Sequence, residues 1–203
     1  LVLSGGGARG FAHIGVLKVL EANHIPVDYI AGTSMGGLIG ALYAMGMSPA
    51  DMETLVARLD WQRLLRPSTT VEDLSYRRKQ DRLNIPAPLV LKGNGVNNLK
   101  LPNALNSGHQ IGLLFDRLTL RYASVTEFKD LPIPFSAVGT DMLSGEAVTL
   151  SSESLSRSLR ATMSIPGVFA PVAVDRKYLS DGGLVNNIPT DVAKAMGADI
   201  VIV

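Results

Sequence analysis

A Gly-x-Ser-x-Gly pattern, set between a strand and a helix, constrains the fold of this chain more than any other feature. The run Tyr29–Ala31 predicts a short buried strand, and Leu38–Met45 predicts an apolar helix. Between them lies Gly32-x-Ser34-x-Gly36, the pattern of a sharp turn that exposes a serine hydroxyl where a strand ends and a helix begins. Glycines leave room for so tight a turn, and the helix start supplies N–H groups and a positive dipole end. The pattern predicts that Ser34 can attack an ester carbonyl.

Composition bounds the remaining possibilities. The chain has 203 residues, 46% of them hydrophobic, which predicts one domain with a sizeable core. Its formal charge of +1 predicts neither nucleic-acid binding nor strong attraction to anionic surfaces. The absence of cysteine excludes disulfides and thiolate metal sites. The chain begins at Leu1 without an initiator Met and ends in an apolar run, so we expect residues 1–203 to be a single catalytic domain within a longer protein.

The order of apolar segments predicts an α/β fold. A strand at Leu1–Leu3, a glycine loop, a helix at Phe11–Ala22 and the strand before Ser34 form a β-loop-α-β unit, whose two strands should be parallel neighbours. Further strands and helices alternate along the chain, which predicts a mostly parallel sheet covered on both faces. The later predicted elements are strands at Pro134–Thr140, Ala147–Leu150, Val172–Val174, Lys177–Leu179 and from Ile200, and helices from Ser48 and at Ile111–Leu120, Ser154–Met163 and Pro189–Met196.

The glycine loop before the first helix has two chemical interpretations. Gly5-x-Gly7-x-x-Gly10 matches the dinucleotide fingerprint. That fingerprint requires an acidic residue at the end of the second strand, where this chain has glycine, threonine and serine instead. The favoured interpretation is an oxyanion hole, because successive glycine N–H groups beside a helix start form an anion-binding nest close to Ser34. Arg9 then shapes the loop or attracts a negatively charged head group, and the simplest alternative is a tight turn with Arg9 in solvent.

The base that would activate Ser34 is not an obvious histidine. The chain has His13, His24 and His109, and none follows the last plausible acid, as the histidine of an α/β-hydrolase triad would. A structural role is favoured for all three, and their spacing makes no convincing zinc site.

A carboxylate is therefore the predicted base, and the best candidate is Asp181, which Gly182 and Gly183 follow. An ordinary Asp-Gly hairpin turn is the alternative. An aspartate ionises near pH 4, so direct contact with the serine, partial burial and immediate transfer of the proton to the leaving group would have to compensate. Asp141 and Asp28 are weaker candidates, since Asp141 lacks a glycine pair and Asp28 lies at the wrong end of its strand.

Taken together, these motifs resemble the patatin-like phospholipase family, in particular its bacterial branch. The resemblance rests on Gly5–Gly10, Gly32–Gly36 and Asp181–Gly183, with Ser158–Phe169 as a further similar stretch, and it spans the whole chain. It implies a three-layer α/β/α fold with Ser34 as nucleophile, Asp181 as base and no catalytic histidine. It also implies that the glycine loop forms the oxyanion hole and that four glycines support the elbow and the dyad. The loop residues are Gly5, Gly6, Gly7, Ala8, Arg9 and Gly10, and the supporting glycines are Gly32, Gly36, Gly182 and Gly183.

The resemblance implies hydrolysis of a phospholipid or lysophospholipid acyl ester through an acyl-serine intermediate, without metal or cofactor. Two alternatives remain open: a non-lipid carboxylesterase or thioesterase, and a non-catalytic nucleotide-binding domain. Transient contact with a membrane surface stays open. The basic residues Arg77, Arg78, Lys79 and Arg82 are candidates for it, although a solvated helix face is the favoured interpretation of this run. The oligomeric state stays open, and so does the location, either the bacterial cytoplasm or a secreted, outer-membrane-associated protein.

Overall fold

The computed structural model describes residues 1–65, 106 and 108–203. In its first part the predicted β-loop-α-β unit is confirmed: β1 and β2 are parallel neighbours, with Val2 paired to Ala31. The predicted N-cap of α3 is also confirmed, since Ser48 Oγ accepts a hydrogen bond from the Asp51 N–H at 3.1 Å. The elements are β1 (Val2–Leu3), a 3-10 turn (Gly7–Phe11), α1 (Ala12–Ala22), β2 (Ile30–Thr33), α2 (Met35–Ala44), α3 (Pro49–Arg58) and α4 (Trp61–Leu65).

The second part of the chain supplies four strands and three helices among the described residues. They are α5 (His109–Thr119), β3 (Phe135–Asp141), β4 (Ala147–Leu150), α6 (Leu155–Thr162), β5 (Val172–Val174), β6 (Lys177–Asp181) and α7 (Thr190–Ala195). All of these were predicted. The strand predicted from Ile200 is wrong: the segment touches β1 through the bond from the Val2 N–H to the Ile202 carbonyl, 2.8 Å, and forms no ladder. Because β1 is two residues long, it offers little backbone to pair with.

The sheet is mixed, so the prediction of a mostly parallel sheet is wrong for its second half. β1, β2 and β3 are parallel, whereas the pairs β3–β4, β3–β6 and β5–β6 are antiparallel. The reason lies in the connections. Asp175 and Arg176 alone join β5 to β6, both with positive φ (45° and 63°), and so short a loop connects antiparallel strands only.

Helices cover both faces of the sheet, which confirms the three-layer α/β/α architecture. Alternate residues of β1 and β2 point to opposite sides: Leu3 and Ile30 belong to the larger core, and Val2 and Ala31 to the smaller one. Helices α1, α2, α3, α5 and α6 contribute to the larger core, and α7 packs on the other face through Val192 and Ala193. Across the described parts of the chain, no helix combines the length and apolar character that crossing a bilayer requires. The basic run Arg77–Arg82 lies outside the described residues, as does the segment 88–101, where an acyl groove was considered.

Candidate active site

Ser34 occupies the junction of β2 and α2 in a strained backbone conformation. Its φ is 54° and its ψ is −122°, a left-handed region that non-glycine residues rarely adopt. A side chain at Gly32 would come within 2.6 Å of the Gly36 carbonyl oxygen, and one at Gly36 would overlap the backbone of Leu3. The serine therefore lies on a turn too crowded for side chains on either side, and the predicted elbow is present.

Thr162, at the end of α6, holds the backbone of the elbow. Its Oγ1 accepts a hydrogen bond from the Ser34 N–H at 2.8 Å and donates one to the Val138 carbonyl at 2.5 Å. The threonine is fully buried, so water cannot replace these bonds. Sequence reasoning assigned Thr162 no role, although it lies in the Ser158–Phe169 stretch that carried part of the family resemblance.

The Ser34 hydroxyl donates a hydrogen bond to Asp181 Oδ2 at 2.6 Å, although the two residues lie 147 positions apart. Both are nearly inaccessible, with 5% of Ser34 and 7% of Asp181 exposed. The second carboxylate oxygen of Asp181, Oδ1, accepts a hydrogen bond from the Gly183 N–H at 2.8 Å. The carboxylate thus spans the serine hydroxyl and a backbone amide, and its free lone pairs face little solvent.

Pairing along β3 explains how this contact arises. β4 occupies one edge of β3 opposite Ala137–Thr140, so β2 and β6 must share the other edge. There, β2 ends with Thr33 opposite Val138, and the antiparallel β6 ends with Asp181 opposite Gly139. The C-terminal ends of two strands therefore meet head-on at consecutive residues of β3, which brings the residue after Thr33 against Asp181.

Burial raises the pKa of the Asp181 carboxyl above its usual value, because the charged form loses hydration. The hydrogen bonds from Ser34 and from the Gly183 amide stabilise the carboxylate and partly oppose this effect. A carboxylate with a raised pKa is a stronger base than an ordinary aspartate, and it lies in direct contact with the hydroxyl proton. Of the three conditions that sequence reasoning required of a carboxylate base, direct contact and burial are met, and proton transfer to the leaving group stays a prediction.

The backbone of Asp181 is held on both sides. Its N–H donates to the Ser164 carbonyl at 3.0 Å, and its carbonyl accepts from Thr140 Oγ1 at 2.9 Å. The next residue, Gly182, passes so close to β3 that a side chain there would overlap the Val138 carbonyl. Packing against β3 therefore requires a glycine at position 182. The more exposed Gly183 instead donates its N–H to the Asp181 carboxylate.

The glycine loop lies beside Ser34, and its amides differ in availability. The Gly5 N–H already donates to Asn187 Oδ1 at 3.1 Å, and the Arg9 N–H donates to the Gly6 carbonyl at 3.1 Å. By contrast, the amides of Gly6, Gly7 and Ala8 make no hydrogen bond to another residue in the described ranges. These three remain as donors for an anion. Of the other predicted loop residues, the Arg9 side chain is exposed, and Gly10 is buried with no space for a side chain between its Cα and Met35.

Asn187 joins the glycine loop to the segment that follows Asp181. Besides accepting from the Gly5 N–H, its side chain donates from Nδ2 to the Gly5 carbonyl at 3.4 Å. The preceding residue, Asn186, accepts at its carbonyl from Thr33 Oγ1 at 2.9 Å, which ties the same segment to β2. Sequence reasoning missed Asn187, and its available signal was a pair of asparagines shortly after the Asp-Gly-Gly motif.

No histidine in the described ranges makes a hydrogen bond to Ser34. His13 Nε2 contacts the Ser4 carbonyl at 2.9 Å, and His24 and His109 are exposed. The weaker acid candidates lie elsewhere too: Asp141 Oδ1 accepts from the Leu143 N–H at 3.0 Å, and Asp28 is exposed. Within the described ranges, no group of three or more His, Cys, Asp or Glu residues is arranged to hold a metal ion.

Comparison with known proteins identifies the family to which the chain is similar. The family model described as patatin-like phospholipase matches residues 1–194. Mouse patatin-like phospholipase domain-containing protein 6 is 35% identical over 208 residues, which cover 100% of this chain and 13% of the relative. An uncharacterized NTE family protein of Mycobacterium tuberculosis is 32% identical over 206 residues, which cover 100% of this chain and 47% of the relative. The chain thus spans less than half of either relative.

A solved structure supports the same fold. VipD from Legionella pneumophila superposes with a TM-score of 0.57 at 18% identity, over 92% of this chain and 46% of that protein. At this identity the similarity concerns the fold alone.

Proposed function

Because the chain belongs to the patatin-like phospholipase family, a family of lipid ester hydrolases, we propose that it cleaves acyl esters of phospholipids or lysophospholipids with a Ser34–Asp181 dyad. The observation that carries the proposal is the 2.6 Å hydrogen bond from Ser34 Oγ to Asp181 Oδ2. A serine on a strained elbow, bonded directly to a buried carboxylate, is an arrangement that structural packing alone does not require.

In the first half of the reaction, Ser34 Oγ attacks the ester carbonyl carbon while its proton passes to Asp181 Oδ2. The carbonyl π electrons move onto oxygen to form a tetrahedral oxyanion. When the oxyanion collapses, the bond from the carbonyl carbon to the alcohol oxygen breaks, and Asp181 returns the proton to that oxygen. The raised pKa of Asp181 favours both transfers, because the carboxyl can hold the proton between them.

In the second half, water attacks the acyl-Ser34 ester and gives a proton to Asp181. Collapse of the second oxyanion breaks the bond from the acyl carbon to Ser34 Oγ, and the proton returns to the serine. A free fatty acid leaves, and the enzyme is restored. One residue thus serves as base and then as acid in each half, which needs no imidazole and no metal ion.

The amides of Gly6, Gly7 and Ala8 are the proposed oxyanion donors. Their N–H groups lack partners among the described residues and stand at the start of the helical segment that leads into α1. The loop is close to the nucleophile, since a Cβ built at Gly5 would lie 3.0 Å from the Ser34 Cβ. Loss of one such donor typically costs about a hundred- to a thousand-fold in rate.

A fluorophosphonate probe tests the dyad directly. The wild-type chain should be labelled at Ser34, and Ser34→Ala should abolish labelling. Asp181→Asn should lose nearly all of it, whereas Ser124→Ala, a change at an exposed serine far along the chain, should react normally. Absence of labelling in the wild type, together with thermal stabilisation by nucleotides, would contradict the proposal and favour the nucleotide-binding alternative.

A substrate panel separates the lipid proposal from a general esterase or thioesterase. Hydrolysis of phosphatidylcholine, lysophosphatidylcholine, short-chain p-nitrophenyl esters and an acyl thioester should be measured with the same protein. We expect the two phospholipids to give the highest kcat/KM. A clear preference for the short-chain ester or the thioester would overturn the lipid assignment and leave the dyad intact.

A further inference from the structure

The turn between β3 and β4 displays large apolar side chains to solvent. Leu143 is 83% exposed and Met142 is 47% exposed. Hydrogen bonds hold the turn in shape: the Leu143 N–H donates to Asp141 Oδ1 at 3.0 Å, and the Gly145 N–H donates to the Asp141 carbonyl at 2.8 Å. The closed turn therefore places both side chains outside the core. Such exposure is unfavourable in water and would be relieved by any apolar surface.

This turn lies beyond the dyad in the direction in which β3 runs. Gly139 of β3 pairs with Asp181, and Met142 and Leu143 follow in the same direction. At about 3.3 Å per residue, the tip projects roughly 10 Å beyond the level of the dyad. β2 runs parallel to β3 and ends with Thr33 opposite Val138, so Ser34 lies at the level of the dyad and on the side from which the tip extends.

Tyr178 stands directly beside the tip. Its carbonyl accepts the Met142 N–H at 2.9 Å, and its side chain is 58% exposed. Tyrosine is enriched where apolar lipid meets water, because its ring is apolar and its hydroxyl is polar. We name Met142 and Leu143 of the turn, together with Tyr178 of β6, the apolar tip; the hydrogen bond between Met142 and Tyr178 joins its two parts.

The charges around the apolar tip determine whether electrostatic attraction or apolar burial would hold the tip against another surface. Arg176 and Lys177 of the β5–β6 hairpin are exposed, and so are Asp175 and Glu146. Among the residues that the structure describes, these two positive and two negative groups balance, so they give little net attraction to an anionic surface. The long side chains of Arg176 and Lys177 can extend toward water while their stems lie along an apolar layer. Burial of apolar side chains is therefore the main force that would hold the tip against another surface.

We propose that the apolar tip inserts into the surface of a lipid bilayer and so presents the Ser34–Asp181 dyad to lipids. The choice of a lipid bilayer as the surface that the tip contacts rests on the proposed function, because a hydrolase of insoluble lipids must reach its substrate at a membrane surface. A protein partner would be an alternative occupant. Insertion itself requires no catalysis, so the proposal can be tested on an inactive enzyme.

Binding should be measured by co-sedimentation of the Ser34→Ala protein with phosphatidylcholine vesicles. Adding Met142→Gln and Leu143→Asn should weaken binding by about tenfold or more, since most of the buried apolar area is lost. Leu120→Asn is the matched control, because Leu120 is 72% exposed on the short helix after α5, and it should bind as the parent does. Salt or added anionic lipid should change binding little.

The rate of hydrolysis, measured with tip variants that retain Ser34, provides a second test. The tip variants should hydrolyse phospholipid vesicles more slowly and a soluble short-chain ester at the unchanged rate. Failure of the parent to bind vesicles, or equal binding by the tip variants, overturns the insertion proposal whatever the enzyme hydrolyses. Binding through the tip by a chain whose wild type fails to react with the serine probe would instead refute the proposed function alone.

Discussion

Thr162 Oγ1 accepts the backbone N–H of Ser34 at 2.8 Å and thereby fixes the one residue of the elbow whose φ is strained. A non-glycine residue in such a conformation costs on the order of 1–3 kcal/mol and persists only where its surroundings over-determine it. Thr162 helps to hold Ser34 in this conformation, since its hydroxyl also donates to the Val138 carbonyl of β3 at 2.5 Å. The serine is thus tied to α6 and to the central strand at once.

Replacing this hydroxyl should loosen the nucleophile. Thr162→Val leaves the Ser34 N–H and the Val138 carbonyl without a partner in a buried place, each at a cost of about 1–3 kcal/mol. We expect a lower free energy of unfolding in urea and slower labelling of Ser34. Thr162→Ser keeps both hydrogen bonds and should retain most of the labelling rate; equal rates in the valine and serine variants would show that the hydroxyl has no role.

The pH dependence of labelling should report Asp181. The reaction needs the ionised carboxylate, so the rate should fall as pH decreases through its pKa. Because burial raises that pKa above the ordinary value of 3.8, the fall should occur at higher pH than for a solvated aspartate. A pH profile of the probe reaction measures the midpoint, and a midpoint at or below the ordinary value would contradict the dominance of burial.

The same burial predicts a trade-off between activity and stability at this residue. A raised native pKa means that the native state binds more protons than the unfolded state between pH 3.8 and the native value, so stability falls as pH rises through that window. Asp181→Asn removes the charge and can still bond Ser34 and Gly183. We expect the variant to be inactive and more stable than wild type at pH 7, by a margin that disappears below pH 3.8. Thermal unfolding at several pH values checks this, and a less stable variant at pH 7 would contradict it.

Two glycine-to-alanine changes should have opposite effects on the free energy of unfolding, which Gly36→Ala should lower and Gly15→Ala should raise. Gly36→Ala drives a methyl group into the backbone of Leu3 and Ser4, which cannot move aside, so we expect severe loss of stability or of folding. Gly15→Ala is the control on the neighbouring helix α1, where a Cβ meets nothing within 4 Å. It should stabilise the protein by roughly 0.5–1 kcal/mol through helix propensity. Urea denaturation compares the two, and a stable Gly36→Ala protein would refute the crowding at the elbow.

Asn187 should position the glycine loop. Asn187→Ser removes the two side-chain bonds to the backbone of Gly5 and leaves only the 3.4 Å bond from the Gly5 N–H to the carbonyl of residue 187. A small displacement of the oxyanion donors can cost up to about a hundred-fold in rate. We expect kcat to fall with little change in KM. Asn186→Ser is the matched control, because its side chain donates instead to Asp191 Oδ1 at 2.8 Å, and it should keep the wild-type kcat. If Asn187→Ser lost stability and activity in proportion, a purely structural role would explain the data.

The local parts of the site could be predicted from sequence because short-range forces create them. The crowded turn around Ser34 follows from Gly32 and Gly36, and the start of α3 follows from Ser48 and Asp51. The positions of most strands and helices follow from the spacing of apolar residues. These features depend on steric limits and hydrogen bonds within a few residues, and neighbouring positions of the chain contain that information.

Only the tertiary structure decided how the distant parts meet. β3 pairs with β2, β4 and β6, and the register of those pairings places Asp181 beside the elbow. Asn187 and Thr162 acquire their contacts by the same long-range packing, and so does the mixed order of the sheet. Strand partners and registers depend on which faces the whole chain buries together. A motif read by itself therefore predicts a turn that can expose a serine, and the folded sheet alone determines which carboxylate the serine meets.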